Sequence, residues 1–248
     1  MPIRDTLVEL SFRELEIILA KVAEYNKSGG PGLQPAVLIG GWAVYLYNDY
    51  YGSVDIDIVT NSETRKRLGY WLAKNHGYTE DRTESRRWLT MRKGTPPDEI
   101  VVEFARREAD DYFMGRKHRL NFSILEGQTI ERTLGRIPVL VPSRALLVLF
   151  KLKAAYDRSY RLENNQSRNP AWEKTKVIKD RSDIIALLDP DRGGREVDVS
   201  VLGAALKKFE FLVGVLKHAG EDPNAAAKYE ILQKEASRIV SNAVRLVT

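Results

Sequence analysis

The sequence predicts an α/β protein of the α+β type, in which a small mixed β-sheet flanked by helices is followed by a C-terminal helical bundle. Short apolar runs and alternating segments, which are typical of strands, occur only before residue 143. From there onward the apolar residues recur at helical spacing. We therefore expect two domains: a sheet-containing domain with an N-terminal helix over residues 1–142, and a helical domain over residues 143–248.

The first half begins with an amphipathic helix, which the spacing of its apolar residues predicts over residues 11–25. Ser11 is expected to be its N-cap, and Glu14 completes a capping box. The remaining elements of this half are a buried strand at 36–39, a short helix at 42–47, a strand at 53–60, a helix at about 61–75, and strands at 86–91, 99–104 and 137–141.

The second half contains four segments with helical periodicity and no credible strand. They lie near residues 143–158, 176–188, 198–219 and 224–245. The polar stretch over residues 159–176 has few apolar residues, and we expect it to be a long mobile loop.

The composition excludes several kinds of chemistry. The chain of 248 residues has no cysteine, which excludes disulfides, thiolate catalysis and cysteine zinc sites. Its three histidines are not at metal-ligand spacing, so a bound metal should be a hard cation on carboxylate oxygens, Mg²⁺ or Mn²⁺. The net charge of +5 is compatible with an anionic partner. Because long apolar runs and a secretory signal are both missing, we expect a cytoplasmic protein without a membrane partner.

Two acidic positions in the predicted strand at 53–60 are candidates for metal binding. Asp55 and Asp57 are two residues apart, so in a strand their side chains share one face. Two adjacent like charges are unfavourable without a cation, so the pair is either solvated or neutralised by metal or basic groups. Glu103 is a carboxylate in an otherwise apolar strand, and it is either a third member of this group or the partner of an arginine such as Arg106. In the first case it would bind metal or act as a general base.

A pair of glycines, Gly40 and Gly41, stands between the predicted buried strand and the helical segment after it. Such a pair is often only a turn. Glycine has no Cβ, so phosphate can approach its backbone closely, and N–H groups at the start of a helix favour an anion. Phosphate binding is favoured over a simple turn by the order of the elements: a strand, two glycines, a helix, an acidic strand and a later strand with a glutamate.

These residues carry a resemblance to a known superfamily. Ile39-Gly40-Gly41, thirteen further residues, and then Asp55-Ile56-Asp57-Ile58 resemble the signature of the DNA polymerase β-type nucleotidyltransferases. The resemblance covers roughly residues 36–104. It implies a small mixed sheet flanked by helices, metal on Asp55 and Asp57, and a third carboxylate on a following strand, a place that Glu103 takes. It also implies that the first domain is catalytic and that the helical domain completes the active-site cleft.

Motifs in the second half narrow the resemblance. The stretch from Lys151 to Ala154, then Arg158, then Lys179-Asp180-Arg181-Ser182-Asp183 resemble motifs of the AbiEii-type, or MenT-like, nucleotidyltransferase toxins. The resemblance implies that Lys151 and Asp180 belong to the active site, with Arg158 and Asp183 in support. Without the first motif, the same residues would be interpreted as ion pairs on helix surfaces.

The expected function is therefore Mg²⁺- or Mn²⁺-dependent transfer of a nucleotidyl group from a nucleoside triphosphate to a hydroxyl. The resemblance favours RNA as the acceptor, in particular a tRNA 3′ end, and a toxin with a cognate antitoxin protein. Three alternatives remain open. The acceptor is a small molecule, as for aminoglycoside nucleotidyltransferases, or a protein hydroxyl, or the chain is a non-catalytic nucleotide-binding module.

Overall fold

The computed structural model describes residues 3–82, 88–96 and 98–247. Its α-helices are α1 (Ile3–Ser28), α2 (Gly40–Tyr45), α3 (Ser62–His76), α4 (Arg144–Glu163), α5 (Pro170–Leu188), α6 (Val199–Lys208), α7 (Phe211–Glu221), α8 (Pro223–Lys228) and α9 (Gln233–Val247). Its strands are β1 (Val37–Ile39), β2 (Ile56–Thr60), β3 (Thr79–Asp81), β4 (Trp88–Thr95), β5 (Asp98–Arg106), β6 (Asp110–Tyr112), β7 (Arg119–Asn121), β8 (Thr129–Leu134) and β9 (Ile137–Pro142). Three short 3₁₀ turns occur at Phe122–Leu125, Pro190–Arg192 and Gly194–Glu196.

The main sheet has five strands in the order β1-β2-β5-β4-β3. It is mixed, because β2 and β5 are parallel and the other neighbouring strands are antiparallel. Strands β6 and β7 form one two-stranded ladder, and β8 and β9 form another. Helices contact the five-stranded sheet, and only helices and 3₁₀ turns follow β9 in the described residues. The predicted fold class is confirmed.

Alternation along the central strands explains how this sheet is anchored. On one face Ile56, Ile58, Val102 and Phe104 are at most 1% exposed. Helices α1 and α3 contact the sheet, and burying such side chains stabilises a domain by about 1.5–3 kcal/mol each. This burial sets the register of β2 against β5, because a slip by one residue would expose the whole apolar set.

The N-terminal helix is longer than the sequence predicts. Helix α1 begins at Ile3, so Ser11 lies within it and is not an N-cap. Ser11 is fully buried, where its hydroxyl donates to the carbonyl oxygen of Val54 (2.8 Å) and accepts from the Trp42 indole N–H (3.1 Å). Glu14 does not close a capping box; its carboxylate accepts from the Tyr78 hydroxyl at 3.0 Å.

The predicted mobile loop at 159–176 is wrong in most of its length. Helix α4 continues to Glu163 and α5 begins at Pro170, which leaves six linking residues. The early start of α5 follows from Asn169, whose side chain accepts from the backbone N–H of Trp172, and from proline at the first helical position. Charged side chains of the two helices pair across the contact, including Arg161 and Glu173.

Other boundaries also differ. The predicted helices at 198–219 and 224–245 are each divided in two. The breaks occur at Phe209, which leaves helical geometry, and at residues 229–232, where Glu230 has a positive φ of 62°. The first two residues of the predicted strand at 86–91 lie outside the described residues, and β4 continues to Thr95. Four strands were not predicted because they are too short or too polar to show a strand pattern in the sequence: β3, β6, β7 and β8.

The chain forms two compact units. The first comprises residues up to 46, then 52–110 and 121–142, and contains the five-stranded sheet. The second comprises residues 47–51, 111–120 and everything from 143 onward. In the part of the chain that the structure describes, no helix is both long and apolar enough to cross a membrane.

Candidate functional site

Two of the predicted acidic residues lie side by side on neighbouring strands of the first unit. Asp57 on β2 is in register with Glu103 on β5, in the parallel pair at the centre of the sheet. Side chains alternate along a strand, so both lie on the face opposite Ile58 and Val102. Both are partly exposed, unlike the apolar residues that flank them. Because neighbouring strands lie about 4.8 Å apart, the two carboxylates share one small patch of the sheet.

Gly40 forms the third part of this patch. It follows β1 directly and has a φ of +71°. A Cβ placed on it would lie 1.9 Å from Oδ2 of Asp57, so the carboxylate occupies the space that any other residue's side chain would need. Glycine is therefore required both by the backbone conformation and by the contact with Asp57. Gly41 is buried in the first turn of α2, and the contact of either glycine with phosphate stays a prediction.

The third predicted metal ligand, Asp55, is placed differently from the prediction. Strand β2 begins at Ile56, and Asp55 lies in the bend before it, where strand alternation does not fix its direction. In the described residues, no three acidic or histidine side chains form a group that could hold a metal ion. The structure thus brings Asp57 and Glu103 together but does not assemble a three-carboxylate site.

The donor set on this face nevertheless fits one kind of ion. Mg²⁺ is commonly held by one or two protein carboxylates, and water and substrate phosphate oxygens supply its remaining ligands. Asp57 and Glu103 provide two carboxylates on a rigid sheet, with Asp55 two residues before Asp57. Gly40 leaves the backbone beside Asp57 uncovered by any side chain of its own. These residues would hold the metal together with phosphate oxygens.

In the second unit, the other predicted residues meet between α4 and α5. Lys151 on α4 forms ion pairs with Asp180 (3.2 Å) and Asp183 (2.7 Å) on α5. Arg158, two turns beyond Lys151, pairs with Asp180. Lys179 pairs with the second oxygen of Asp183 at 2.7 Å. We call these five residues the helix-pair charge cluster.

The electrostatics of this cluster are dominated by burial. Burial alone would lower the pKa of Lys151, but Asp183 and Asp180 raise it above the usual value for lysine. Burial and the nearby charge of Lys151 lower the pKa of Lys179 to about 8, although Asp183 opposes this shift. Burial opposes ionisation of Asp183, and the two lysines outweigh it, so its pKa is lowered to about 2. The cluster carries three positive and two negative charges, which leaves an excess of one positive charge.

Replacing Asp183 by asparagine is expected to destabilise the protein by about 3–5 kcal/mol, because it leaves two buried lysines short of a carboxylate. The pKa of Asp183 is lowered from 3.8 to about 2, so its stabilising contribution is present above about pH 4 and is lost as the pH falls through 2. Urea unfolding at pH 7 measures the first effect. Asp191→Asn is the matched control: its carboxylate is 72% exposed, and we expect a change below about 0.5 kcal/mol. Equal effects of the two variants would show that the buried pairing is not stabilising.

Two residues that contact Asp183 were not predicted as site residues, namely Lys179 and Tyr50. Lys179 lies one helical turn before Asp183, and that spacing predicts an ion pair but not its burial. The hydroxyl of Tyr50 donates to Asp183 at 2.5 Å, and burial together with this carboxylate raises the pKa of the hydroxyl well above its usual value. The two residues are 133 positions apart, so no local pattern could have indicated the contact.

Comparisons with known proteins give similarities of fold only. No protein-family model matches the sequence, and no curated protein matches it, so the AbiEii-type resemblance stays a prediction. Several solved structures are similar in fold, among them the following three. One is the solution structure of the antibiotic-resistance factor ANT(2'')-Ia, with 16% identity over 82% of this chain and 96% of that one and a TM-score of 0.45.

The second is a crystal structure of ANT(2'')-Ia in complex with adenylyl-2''-tobramycin, with 16% identity, 79% and 97% coverage and a TM-score of 0.46. The third is an antigenic nucleotidyltransferase-like protein from Paracoccidioides brasiliensis, with 15% identity, 83% and 93% coverage and a TM-score of 0.41.

Proposed function

We propose that this chain is a Mg²⁺- or Mn²⁺-dependent nucleotidyltransferase that transfers a nucleotidyl group from a nucleoside triphosphate to a hydroxyl, with release of pyrophosphate. The observation that carries the proposal is that Asp57 and Glu103 lie in register on neighbouring strands, with the backbone of Gly40, which has no side chain, beside Asp57. A solvated acidic strand face would require neither the positive φ of Gly40 nor its contact with the carboxylate.

The residues of the first unit have separate tasks. Bound metal would neutralise charge on the triphosphate and on the transferring phosphoryl group. Asp57, with Asp55, would hold that ion in place. Glu103 would have one of two roles. It would accept the proton of the acceptor hydroxyl while the hydroxyl oxygen attacks the α-phosphorus, or it would bind metal. Gly40 lets phosphate come close to the backbone.

The helix-pair charge cluster supports binding of a polyanion by the second unit. Its excess positive charge is carried by side chains that are already held in place by Asp180 and Asp183, so little side-chain entropy is lost when an anion binds. Lys151 and Lys179 neutralise phosphate charge, and Asp180 orients Lys151 and Arg158. The second unit thus contributes to binding. We call the sheet surface formed by Asp57, Glu103 and Gly40 the carboxylate face, and the chemistry takes place there.

Nucleotide binding is expected to weaken as the pH rises above about 8. Lys179 attracts phosphate only while protonated, and its pKa is lowered to about 8. With that pKa, the protonated fraction of Lys179 falls about tenfold between pH 7 and pH 9, and we expect the affinity for the triphosphate to fall by the same factor. Calorimetric titration with the triphosphate at both values measures the loss. Lys179→Arg keeps the charge and should remove the dependence, and Lys179→Met should bind weakly at both values. An identical profile for all three proteins would exclude Lys179 from binding.

An exposed basic loop in the second unit supports RNA as the acceptor. Four consecutive residues, Arg116-Lys117-His118-Arg119, are exposed. The loop is anchored, because the Arg116 Nε–H donates to the Tyr156 hydroxyl at 2.7 Å and the guanidinium lies 4.0 Å from the centre of the Phe211 ring. Basic side chains in a fixed loop are typical of surfaces that contact nucleic acid phosphates.

The proposal is tested by incubating the purified protein with Mg²⁺, total RNA and each of the four nucleoside triphosphates labelled at the α-phosphate. We expect at least one of the four triphosphates to label an RNA fraction, and we expect the label at tRNA 3′ ends. The absence of label with all four nucleotides, while a known nucleotidyltransferase works in the same mixture, would contradict the RNA version.

A small cationic acceptor is the second candidate, and one cavity of the second unit favours it. The cavity measures about 760 Å³ and is lined by the carboxylates of Glu163 and Glu221 against the cation Lys174, while Asp222 is ion-paired with Arg181 at 2.8 Å. Its volume is in the range of small-molecule sites. An aminoglycoside in place of RNA in the same assay separates the two acceptors.

The toxin part of the proposal rests on the AbiEii-type resemblance. Induced expression of the chain in bacteria should arrest growth if it modifies RNA, and Asp57→Asn should not. Rescue by a cognate partner protein would establish the antitoxin. Arrest by both proteins would show that toxicity is independent of transfer.

A further inference from the structure

One hydroxyl beside the carboxylate face has no structural role in the described contacts. Thr90 on β4 is 1% exposed, and its Oγ1 has no hydrogen-bond partner. Buried polar groups are normally paired, and an unpaired one destabilises the fold. Valine has the same shape and an equally high strand propensity, so it would fill this position without that loss.

The register of the sheet places Thr90 next to the proposed chemistry. It is in register with Glu103 on β5, and Glu103 is in register with Asp57 on β2. The three residues therefore form one row across consecutive strands, on the face opposite the apolar Met91, Val102 and Ile58. Directly opposed residues of antiparallel strands have Cβ atoms about 5 Å apart, within reach of a hydroxyl–carboxylate hydrogen bond. Thr90 has two such neighbours, Glu103 on β5 and Asp81 on β3, and Asp81 already accepts from Arg92 at 2.7 Å.

Glu103 is the member of the row whose carboxylate a hydrogen bond from Thr90 would hold in one position. Glutamate has one more torsion than aspartate, so its carboxylate samples more positions and loses more side-chain entropy when it is fixed. A displacement of about 1 Å in a reacting group is enough to lower a rate by about a hundredfold. Hydrogen bonds of catalytic groups are often long in the unliganded protein and shorten only in the complex with substrate.

We propose that Thr90 is a positioning residue for Glu103: its hydroxyl donates a hydrogen bond to one carboxylate oxygen when metal and nucleotide are bound. The other oxygen of Glu103 would then bind metal or accept the proton of the acceptor hydroxyl. This inference rests on the proposed function. It gives a reason for an unpaired hydroxyl at this position. It also predicts that the hydroxyl of Thr90 contributes to activity but not to the stability of the protein.

The test uses the full chain with three variants: Thr90→Val, Thr90→Ser and Thr60→Val. Thr60 is the matched control, because it is also buried in a central strand but donates to the carbonyl oxygen of Gln34 at 3.1 Å. Two readouts are measured: the melting temperature without metal, in the presence of a chelator, and kcat and KM for the triphosphate with Mg²⁺.

For Thr90→Val we expect an unchanged or higher melting temperature, by up to about 2–4 °C, with kcat lowered by about 10–100-fold and KM little changed. Thr90→Ser should restore most of kcat. Thr60→Val should show the reverse pattern, with a lower melting temperature and kcat close to that of the wild type.

A lower melting temperature for Thr90→Val together with a normal kcat would overturn the inference, since the hydroxyl would then be structural. A serine variant as slow as the valine variant would also overturn it. If the wild type transfers no nucleotide, the proposed function fails and this inference with it. If the wild type is active and Thr90→Val equals it, only the inference fails.

Discussion

Asp57→Asn is expected to lower kcat for nucleotidyl transfer on the order of 10³-fold or more. Asparagine keeps the size of the side chain but removes the negative charge, and a neutral amide oxygen is a poor ligand for Mg²⁺. Asp57 stands at the centre of the carboxylate face, in register with Glu103 on one side and beside Gly40 on the other.

The measurement is single-turnover transfer of α-labelled nucleotide at saturating Mg²⁺. Asp98→Asn is the control, because Asp98 is an exposed carboxylate on β5, the strand that carries Glu103. We expect full activity for that variant and unchanged unfolding curves for both. Activity in Asp57→Asn within tenfold of the wild type would remove Asp57 from the site.

Gly40→Ala is expected to lower kcat by about 10²-fold and to destabilise the protein, through two separable effects. The φ of +71° is strained for alanine by about 1–2 kcal/mol. The new Cβ would also stand 1.9 Å from Oδ2 of Asp57, so the carboxylate must rotate away from its place. The second effect disturbs the position of Asp57 that we propose for metal binding, and the first leaves that position intact.

Gly77→Ala separates the two effects. Gly77 ends α3 with a φ of +70°, and a Cβ there would meet no atom within 4 Å. It therefore tests the backbone strain alone, and we expect about 1 kcal/mol of destabilisation with full activity. Urea unfolding and transfer rates are measured for both variants. Equal rates in Gly40→Ala and Gly77→Ala would show that the contact with Asp57 is unimportant.

Sequence alone could predict the parts of this site that depend on local pattern. The alternation around Ile56 and Ile58 determines which face of β2 is buried, and it places Asp57 on the other face. A carboxylate within the apolar β5 was visible for the same reason. The pairing of Asp57 with Glu103 was not visible, because it depends on β5 lying beside β2 after a separation of 46 residues in the chain.

The remaining features required tertiary contacts. The contact between Gly40 and Asp57 follows from the register of β1 against β2, which residue types do not specify. Burial of Lys179 and the bond from Tyr50 to Asp183 depend on how α4, α5 and residues 47–51 pack. The long α4 and the early α5 were missed because polar residues at 159–176 indicate a loop, whereas Arg161 and Glu173 are paired between the two helices.

The central claim is that the carboxylate face transfers a nucleotidyl group and no other part of the triphosphate. It is tested most directly by supplying the active triphosphate in two forms, one labelled at the α-phosphate and one at the γ-phosphate. We predict that the α-label appears in the acceptor, that the γ-label is released as pyrophosphate, and that Asp57→Asn and chelation of Mg²⁺ each abolish both signals. Transfer of the γ-label to the acceptor, or α-label transfer that survives Asp57→Asn, would contradict the claim.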